Sequence, residues 1–556
     1  MPAPRPTSLP AVPLAELARL AEAHCWRPSC SGDLDIAPVD GYATGVSLDS
    51  RTVRPGDLYA ALPGLRAHGA DFANAAVSAG AVAVLTDPTG IERLDSLPGV
   101  PVLVCAQPRV RLGELAARIY GYPAEGMRII GITGTNGKTT TAYLLETALR
   151  ALGSATGLIG TVETRIGDRR LSSVRTTPEA SDLHAILAVM REQGTDTVVM
   201  EVSSHAVSEH RVAGVVFDLA LFTNLSQDHL DFHVDMADYF AAKAALFTPA
   251  HARRGLVCVD DEWGRQLVGR AGIPVTTLAS VGRGQAAPAS DWVVGLAPES
   301  RFTVIGPDVS LTLRPRLPGT FNVFNTALAA VALITMGYAA TDVQESLSEV
   351  PVVPGRMEVV AGDSATDPRC IVDYAHTPQA VEAALAALRP STPGRLVVVL
   401  GAGGDRDPGK RHAMGAAAAR WADDLVITDD NPRSEDPAAI RREVLLGARE
   451  SLPAEVTSEP ADHPSRQERT VCSGAGRGDQ IAHAVRLART CGRAADNTVV
   501  VLGKGHERGQ EIDGVVLPFD DRDALAAALR GRPYRPDDPL VPHGLEDATS
   551  AEEGRS

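Results

Sequence analysis

Residues 131–140 read GITGTNGKTT, and this segment limits the fold more than any other. An apolar run, RIIGIT over 128–133, enters a glycine-rich loop, and the loop opens into TTTAYLLETALRAL over 139–152, which has the apolar spacing of a helix. A strand running through such a loop into a helix is the local form of a phosphate cradle. Gly134, Thr135, Asn136 and Gly137 let backbone N–H groups approach phosphate oxygens, and the helix N-terminus adds a partial positive charge. Lys138 can reach the outer phosphates, the Thr139 hydroxyl can ligate Mg²⁺, and Thr140 completes the ATP-binding segment. The strict G-x-x-x-x-G-K-S/T pattern is not met, because Ile132 stands at its first glycine. A glycine-rich turn with a surface lysine is the bland alternative, and the coincidence of strand, GKTT and helix argues against it. By itself the loop specifies a nucleoside triphosphate such as ATP and leaves kinase, ATPase and ligase open.

The rest of the chain repeats the alternation of strand and helix. DTVVMEVSS (196–204), FDLALFTNL (217–225) and GLVCVDD (255–261) are short apolar runs bounded by polar turns. After Pro354 and Gly355 the pattern restarts with RCIVDYAHTP, RLVVVLGAGGD, DDLVITDDNPR and NTVVVLGKGHE. Such runs separated by helices predict parallel sheets covered on both faces, with ligands at the carboxyl ends of the strands. At 556 residues the chain exceeds one core. The expected fold is α/β in three domains: a small N-terminal α/β domain over 1–127 with a loose start, a central P-loop-type parallel sheet over 128–353, and a Rossmann-like domain over 354–540. The polar stretch 454–480 reads as a mobile insertion and 541–556 as a disordered tail.

Composition excludes several classes. A net charge of −16 argues against a general nucleic-acid binder. Seven scattered cysteines form no C-x-x-C pair, so no disulfide framework or zinc site is indicated. No apolar stretch reaches the ~18 residues of a membrane span, and the expectation is a cytoplasmic monomer without membrane insertion.

TGTNGKTT, MEVSSH, FTNLSQDHLDFH, PGRME, VDYAHTP, DNPR and GKGHE occur in that order. Together they resemble the Mur ligase family, over roughly Val46 to Asp523, and in particular the branch that adds the third peptide residue. The resemblance implies ATP-driven activation of the D-glutamate carboxylate of UDP-N-acetylmuramoyl-L-alanyl-D-glutamate as an acyl phosphate, which an incoming amine attacks. Two anions must meet, which requires cations, and water must be excluded to protect the acyl phosphate. It further implies Mg²⁺ ligation by Thr139 and Glu201, a second magnesium at His229, and carbamylation of Lys243 to an oxygen ligand for that metal. Asn322 would lie near the adenine, Arg356 near the phosphates and Asp373 near the ribose, with His376 in the same motif.

For the uridine nucleotide the resemblance implies Leu48 and Ser50, with Leu65, Arg66 and Ala67 at a second contact loop whose residues differ from the family's. Arg175, Thr176, Thr177, Ser203 and Arg211 would hold the sugar-peptide, and Glu209 stands where the family pattern has Gln. An acid there repels an anionic substrate unless it is paired. Arg406, Asp430, Asn431, Pro432, Arg433, Gly503 and Glu507 would bind the amino acid. The planar guanidinium of Arg433 suits a distal carboxylate, which favours diaminopimelate over lysine, and Glu507 would take an ammonium. A folylpolyglutamate synthetase of the same superfamily is the nearest alternative, and the DSR segment at 49–51 and DNPR speak against it. A dinucleotide oxidoreductase, suggested by LGAGGDRD, lacks a complete G-x-G-x-x-G and has no use for GKTT; a nucleotide-gated scaffold is a third reading.

Overall fold

The computed structural model describes residues 3–26, 39–64, 67–94, 100–281, 289–297, 301–314, 317–348, 353–362, 364, 366–405, 407–452 and 469–537. Three large sheets follow one another along the chain, with five, eleven and six strands. The α/β expectation holds.

In the central sheet, Arg128–Thr133 lies between Thr197–Glu201 and Leu219–Phe222, all parallel. Side chains alternate between faces, as strand geometry requires. Ile130, Ile132, Val199, Leu219 and Leu221 join the core under the helices Lys138–Ala151 and Thr320–Thr335. Ile129, Val198, Met200, Ala220 and Phe222 join the opposite core with the helix Ala180–Glu192. Burial on both faces explains why these strands read as continuous apolar runs. From the first strand the chain goes to one side of the sheet and later returns to the other, so the switch point lies at Thr133 and the glycine loop. Ligands collect at such a crevice.

The parallel expectation needs correcting at both ends of this sheet. Thr156–Ile159, Glu163–Ile166 and Arg169–Ser172 form an antiparallel meander at one edge, and Trp292–Ala297, Arg301–Ile305 and Ser310–Leu313 form another. RRLS lacks the apolar run of a central strand because it is the edge strand, whereas ETRI is buried and carries polar residues because Arg165 pairs with Glu163 and with Glu146. The start of the chain is also tied down. Arg5 donates to the Asp57 carboxylate (2.8 Å), Thr7 N–H to Glu192, and Val12–Pro13 pairs with Tyr42–Ala43.

In the last sheet Arg369–Asp373, Thr498–Leu502, Leu396–Ala402, Asp424–Asp429 and Thr470–Ser473 are parallel neighbours. The stretch 454–480 is thus not wholly an insertion: Thr470–Ser473 is an edge strand, and Arg477 opens the helix Arg477–Thr490. Residues 453–468 and the tail from 538 lie outside the described residues. Polar composition hid the strand, since an edge strand needs little apolar surface.

Arg477 and Asp521 form a bidentate ion pair at 2.7 Å, both fully buried. The same guanidinium donates to the carbonyls of Asp429 (3.1 Å) and Leu502 (3.0 Å), clamping two strand ends that carry functional loops. Removing one partner leaves an uncompensated buried charge, at a cost of about 3–5 kcal/mol. Asp521→Ala is therefore expected to destabilise this part of the molecule by about that amount in denaturant unfolding. An unchanged midpoint would show that the pair contributes nothing net.

Candidate active site

The helix Lys138–Ala151 begins at Gly137, whose φ of 89° is open to glycine at little cost. A Cβ at Gly137 would lie 2.5 Å from Asn325 Oδ1, and one at Gly134 (φ 140°) would lie 1.9 Å from Thr223 Oγ1. Both positions therefore need glycine for the loop to close on its neighbours. Lys138 Nζ donates to the carbonyls of Gly134 (2.8 Å) and Thr135 (2.9 Å), so its ammonium is held over its own loop. Burial lowers its pKa.

Lys243 is the larger surprise. In an Ala-rich helix it reads as a surface residue, yet it is 1 % exposed. Its Nζ donates to the same Gly134 carbonyl (3.0 Å) and stands 4.5 Å over the Tyr239 ring. Burial, together with the Lys138 charge, pushes its pKa well down. Two lysines thus converge on one carbonyl, and the deeper one is driven towards the neutral amine.

Glu201 ends its strand 1 % exposed. Its carboxylate accepts from Thr139 Oγ1 (2.9 Å), Thr161 N–H (2.8 Å) and Thr161 Oγ1 (3.0 Å). Thr161 Oγ1 is also 3.0 Å from Thr176 Oγ1. A buried acid surrounded by hydroxyls, one of them in the phosphate loop, suits a hard cation shared with phosphates. Among the described residues no three His, Cys, Asp or Glu side chains gather into a metal site. His229 sits at φ 56° with its ring edge-on to His205 (4.9 Å). Burial, reinforced by His205 and the two lysines, lowers its pKa to about 3, leaving a neutral imidazole suited to ligation.

Asp228, beside it, escaped the sequence reading. It is buried and faces His229 Nε2 (3.5 Å), His376 Nε2 (3.7 Å) and Lys410 Nζ (3.5 Å). Burial alone would raise its pKa; the His376 hydrogen bond and the nearby imidazoles and Lys410 hold it well below the usual carboxylate range. Only tertiary structure gives this role, because His376 and Lys410 come from the last sheet.

The two halves meet over one cavity of about 590 Å³. Thr135 to Thr140, Glu201, Asp228 and His229 line one side; Arg356, Asp373, Tyr374 and His376 line the other, with Asn322 between them. Arg356 Nη2 donates to Thr139 Oγ1 (3.2 Å), and its guanidinium lies 4.3 Å over the Tyr374 ring. Both Asp373 oxygens accept backbone N–H groups, from Met357 and Ala375 at 2.8 and 2.9 Å. That carboxylate therefore fixes the PGRME turn as well as facing the cavity. Asn322 donates to the Pro318 carbonyl and accepts from Asn325.

The DNPR residues form a separate cluster next door. Lys504, fully buried, points at Asn431 Oδ1 (3.0 Å), Glu507 (3.2 Å) and Asp430 (3.6 Å). Glu507 also accepts from Asn431 Nδ2 (2.8 Å) and lies 3.5 Å from the Tyr374 hydroxyl, which links this cluster to the cavity. Gly503 at φ 118° keeps clear of Asp430, whose Oδ2 a Cβ would approach to 2.5 Å. Arg433, after Pro432 and at φ 51°, donates through Nη1 to the Gly404 carbonyl (2.6 Å) and lies 3.2 Å from Glu511 through Nε. Arg406 lies outside the described residues. The sequence reading quoted GKGHE but passed over Lys504, because burial of a lysine leaves no local signature.

Glu209 is paired, which removes the expected repulsion. It accepts from Arg211 Nη2 (3.1 Å) and Arg109 Nη1 (3.4 Å), while Glu179 accepts from Arg175 (2.5 Å) and lies 3.0 Å from Arg211 Nε as an ion pair. Thr177 Oγ1 donates to the Glu201 carbonyl and accepts from Ser203 N–H, and Ser203 caps the next helix. Of this set only Thr176 lines the cavity. Leu48 packs at the edge of the first core, and Ser50 lies half-buried in the loop after it. Leu65 and Arg66 lie outside the described residues, and Ala67 is exposed.

Comparison with known proteins accounts for this arrangement. Profiles of the Mur ligase family catalytic domain, middle domain and glutamate ligase domain match residues 42–120, 132–333 and 355–464. A UDP-N-acetylmuramoyl-L-alanyl-D-glutamate–2,6-diaminopimelate ligase of Streptomyces avermitilis is 52% identical over 95% of this chain and 98% of its own. A solved structure of an enzyme with that name is 28% identical, with a TM-score of 0.59 over 94% of this chain and 99% of its own. A MurF ligase from Thermotoga maritima in complex with ADP is similar in fold, at 18% identity and a TM-score of 0.57 over 82% and 93%.

Proposed function

Because the chain belongs to the Mur ligase family, we propose that it joins 2,6-diaminopimelate to UDP-N-acetylmuramoyl-L-alanyl-D-glutamate with conversion of ATP to ADP, in peptidoglycan synthesis. One observation carries this reading: a single cavity gathers the phosphate loop, Glu201, Asp228 and His229 from the central sheet and Arg356 and His376 from beyond it. Joining two anions demands cations converging on one space, and Lys138 lines this cavity from one side and Arg356 from the other.

In this reading Lys138 and Arg356 bear on the triphosphate, and Asn322 and Asp373 on the nucleoside. Thr139 and Glu201 would hold one Mg²⁺, and His229 and carbamylated Lys243 a second; the ions would offset repulsion between triphosphate and carboxylate. Lys243 qualifies because a buried amine held neutral is the form that adds CO₂. The Arg109–Glu209–Arg211–Glu179–Arg175 network would carry the sugar-peptide, with Leu48 and Ser50 towards the uridine. The DNPR cluster would present the amine. Residues 1–127 would act as the nucleotide-sugar unit, 128–353 as the ATP unit and 354–540 as the amino-acid unit. No described helix is long and apolar enough to cross a membrane, and a cytoplasmic monomer is the corresponding expectation.

The test is ADP release that requires both UDP-dipeptide and amino acid, comparing meso- and LL-diaminopimelate with lysine. ADP release with folate and glutamate instead would favour the folylpolyglutamate alternative. Within this assay Arg433→Lys is expected to lower kcat/KM for diaminopimelate by about 10²-fold, because a point charge replaces a planar fork. An unchanged amino-acid preference would reject the role of Arg433.

A further inference from the structure

Thr161 lies outside every motif of the sequence reading, yet it touches two of the expected sites at once. It stands in the turn between the strands Thr156–Ile159 and Glu163–Ile166 and lines the cavity. This turn presses on Glu201. A Cβ at Gly160 would lie 2.4 Å from Glu201 Oε1, and the Thr161 N–H donates to that same oxygen (2.8 Å). These backbone contacts fix the turn, but the Thr161 hydroxyl has a choice. Its Oγ1 is 3.0 Å from Glu201 Oε2 and 3.0 Å from Thr176 Oγ1, and Thr176 belongs to the set expected to hold the sugar-peptide.

A hydroxyl has one hydrogen, so Thr161 can donate to only one of these oxygens at a time. Glu201 Oε2 accepts from Thr139 and Thr161 together, and two hydrogens on one carboxylate oxygen occupy both of its lone pairs. A cation then has no lone pair of Oε2 to take. Thr139 Oγ1 is itself an acceptor for Arg356 Nη2 (3.2 Å), so its own hydrogen stays directed at Glu201. Thr161 has the alternative. The sugar-peptide carries carboxylate and carbonyl oxygens that can accept the Thr176 hydrogen, which leaves Thr176 Oγ1 as an acceptor for Thr161. From this geometry we propose that Thr161 is a positioning residue that couples two sites: a sugar-peptide bound at Thr176 turns the Thr161 hydroxyl away from Glu201 and frees Oε2 for a divalent cation. The inference rests on the ligase reading above and adds that the UDP-dipeptide, and not ATP alone, tightens the cation at Glu201. By linkage the cation tightens the UDP-dipeptide by the same factor.

The test titrates Mn²⁺ into the full-length protein with ADP, with and without saturating UDP-dipeptide, and counts the free ion by electron paramagnetic resonance. The unaltered protein is expected to bind the first Mn²⁺ about tenfold more tightly when the UDP-dipeptide is present. Thr161→Val keeps the N–H and the shape and removes the hydroxyl. It should bind Mn²⁺ without UDP-dipeptide about as tightly as the unaltered protein does with it, a gain that a merely structural role would not produce. Thr161→Ser should keep the dependence on UDP-dipeptide. Thr176→Val should lose it in the opposite sense, staying at the weaker affinity in both conditions. Retained ADP binding by each variant reports intact folding. Mn²⁺ binding by Thr161→Val that is weakened equally in both conditions would overturn the coupling. So would a dependence that survives in Thr161→Val, or one missing from the unaltered protein. If calorimetry shows no binding of UDP-dipeptide to the unaltered protein at all, the ligase reading itself fails, a result distinct from any Mn²⁺ affinity.

Discussion

Lys138→Ala is expected to lower ATP-to-ADP turnover by about 10²–10³-fold, with the fold intact. The ammonium is held 2.8–2.9 Å from the Gly134 and Thr135 carbonyls and lines the cavity where the two halves meet. A cation positioned where negative charge gathers is worth about 3–4 kcal/mol in such a setting, which converts to about 10²–10³ in rate. Its neighbour Arg356 cannot compensate, since that guanidinium is committed to Thr139 and the Tyr374 face. Single-turnover ADP formation measures the effect directly. Turnover within tenfold of the unaltered protein would remove Lys138 from the chemistry and leave the loop a structural turn.

The second large effect is expected at Lys243. Lys243→Ala should lose about 10²-fold or more of turnover, and acetate or formate should restore part of it. The reasoning starts from burial: an amine that is 1 % exposed, beside a second lysine and over an aromatic face, is driven towards its neutral form. A neutral amine adds CO₂, releasing a proton and leaving a carbamate, an anionic oxygen ligand of the kind magnesium prefers. A small carboxylate entering the space left by alanine supplies the same kind of oxygen. Rescue by a small amine instead of a carboxylate would show that the cation, and not the carbamate, is what the site needs. A ¹³C resonance of a carbamate in protein equilibrated with ¹³CO₂ reads the modification without reference to activity.

These two lysines also mark how far the sequence could be read. Lys138 was legible because its neighbours are local: glycines at φ 140° and 89°, a strand before and a helix after. Lys243 was legible only through resemblance, since its surroundings in sequence are alanines and its surroundings in space are Gly134 and Tyr239. Glu201 and Arg433 stand between the two: their place at or just beyond the carboxyl end of a strand is local, and their roles came through resemblance. Asp228 and Lys504 were not legible at all. Each owes its role to partners on other elements: His376 and Lys410 for Asp228, and Asn431 and Asp430 for Lys504. The outermost strands of the central sheet, Arg169–Ser172 and Ser310–Leu313, and the strand Thr470–Ser473 were missed for a related reason: edge strands bury one side or less and carry no apolar run.

What this amino-acid sequence determined unaided was the repeated strand-to-helix pattern, the phosphate loop and the order of its polar loops, because backbone conformation and period-two burial are set by near neighbours. What only the tertiary structure decided was which charges face each other. A carboxylate's pairing, a lysine's protonation and the closing of one cavity from two sheets depend on distances between residues hundreds of positions apart, and no local pattern of residues encodes those distances.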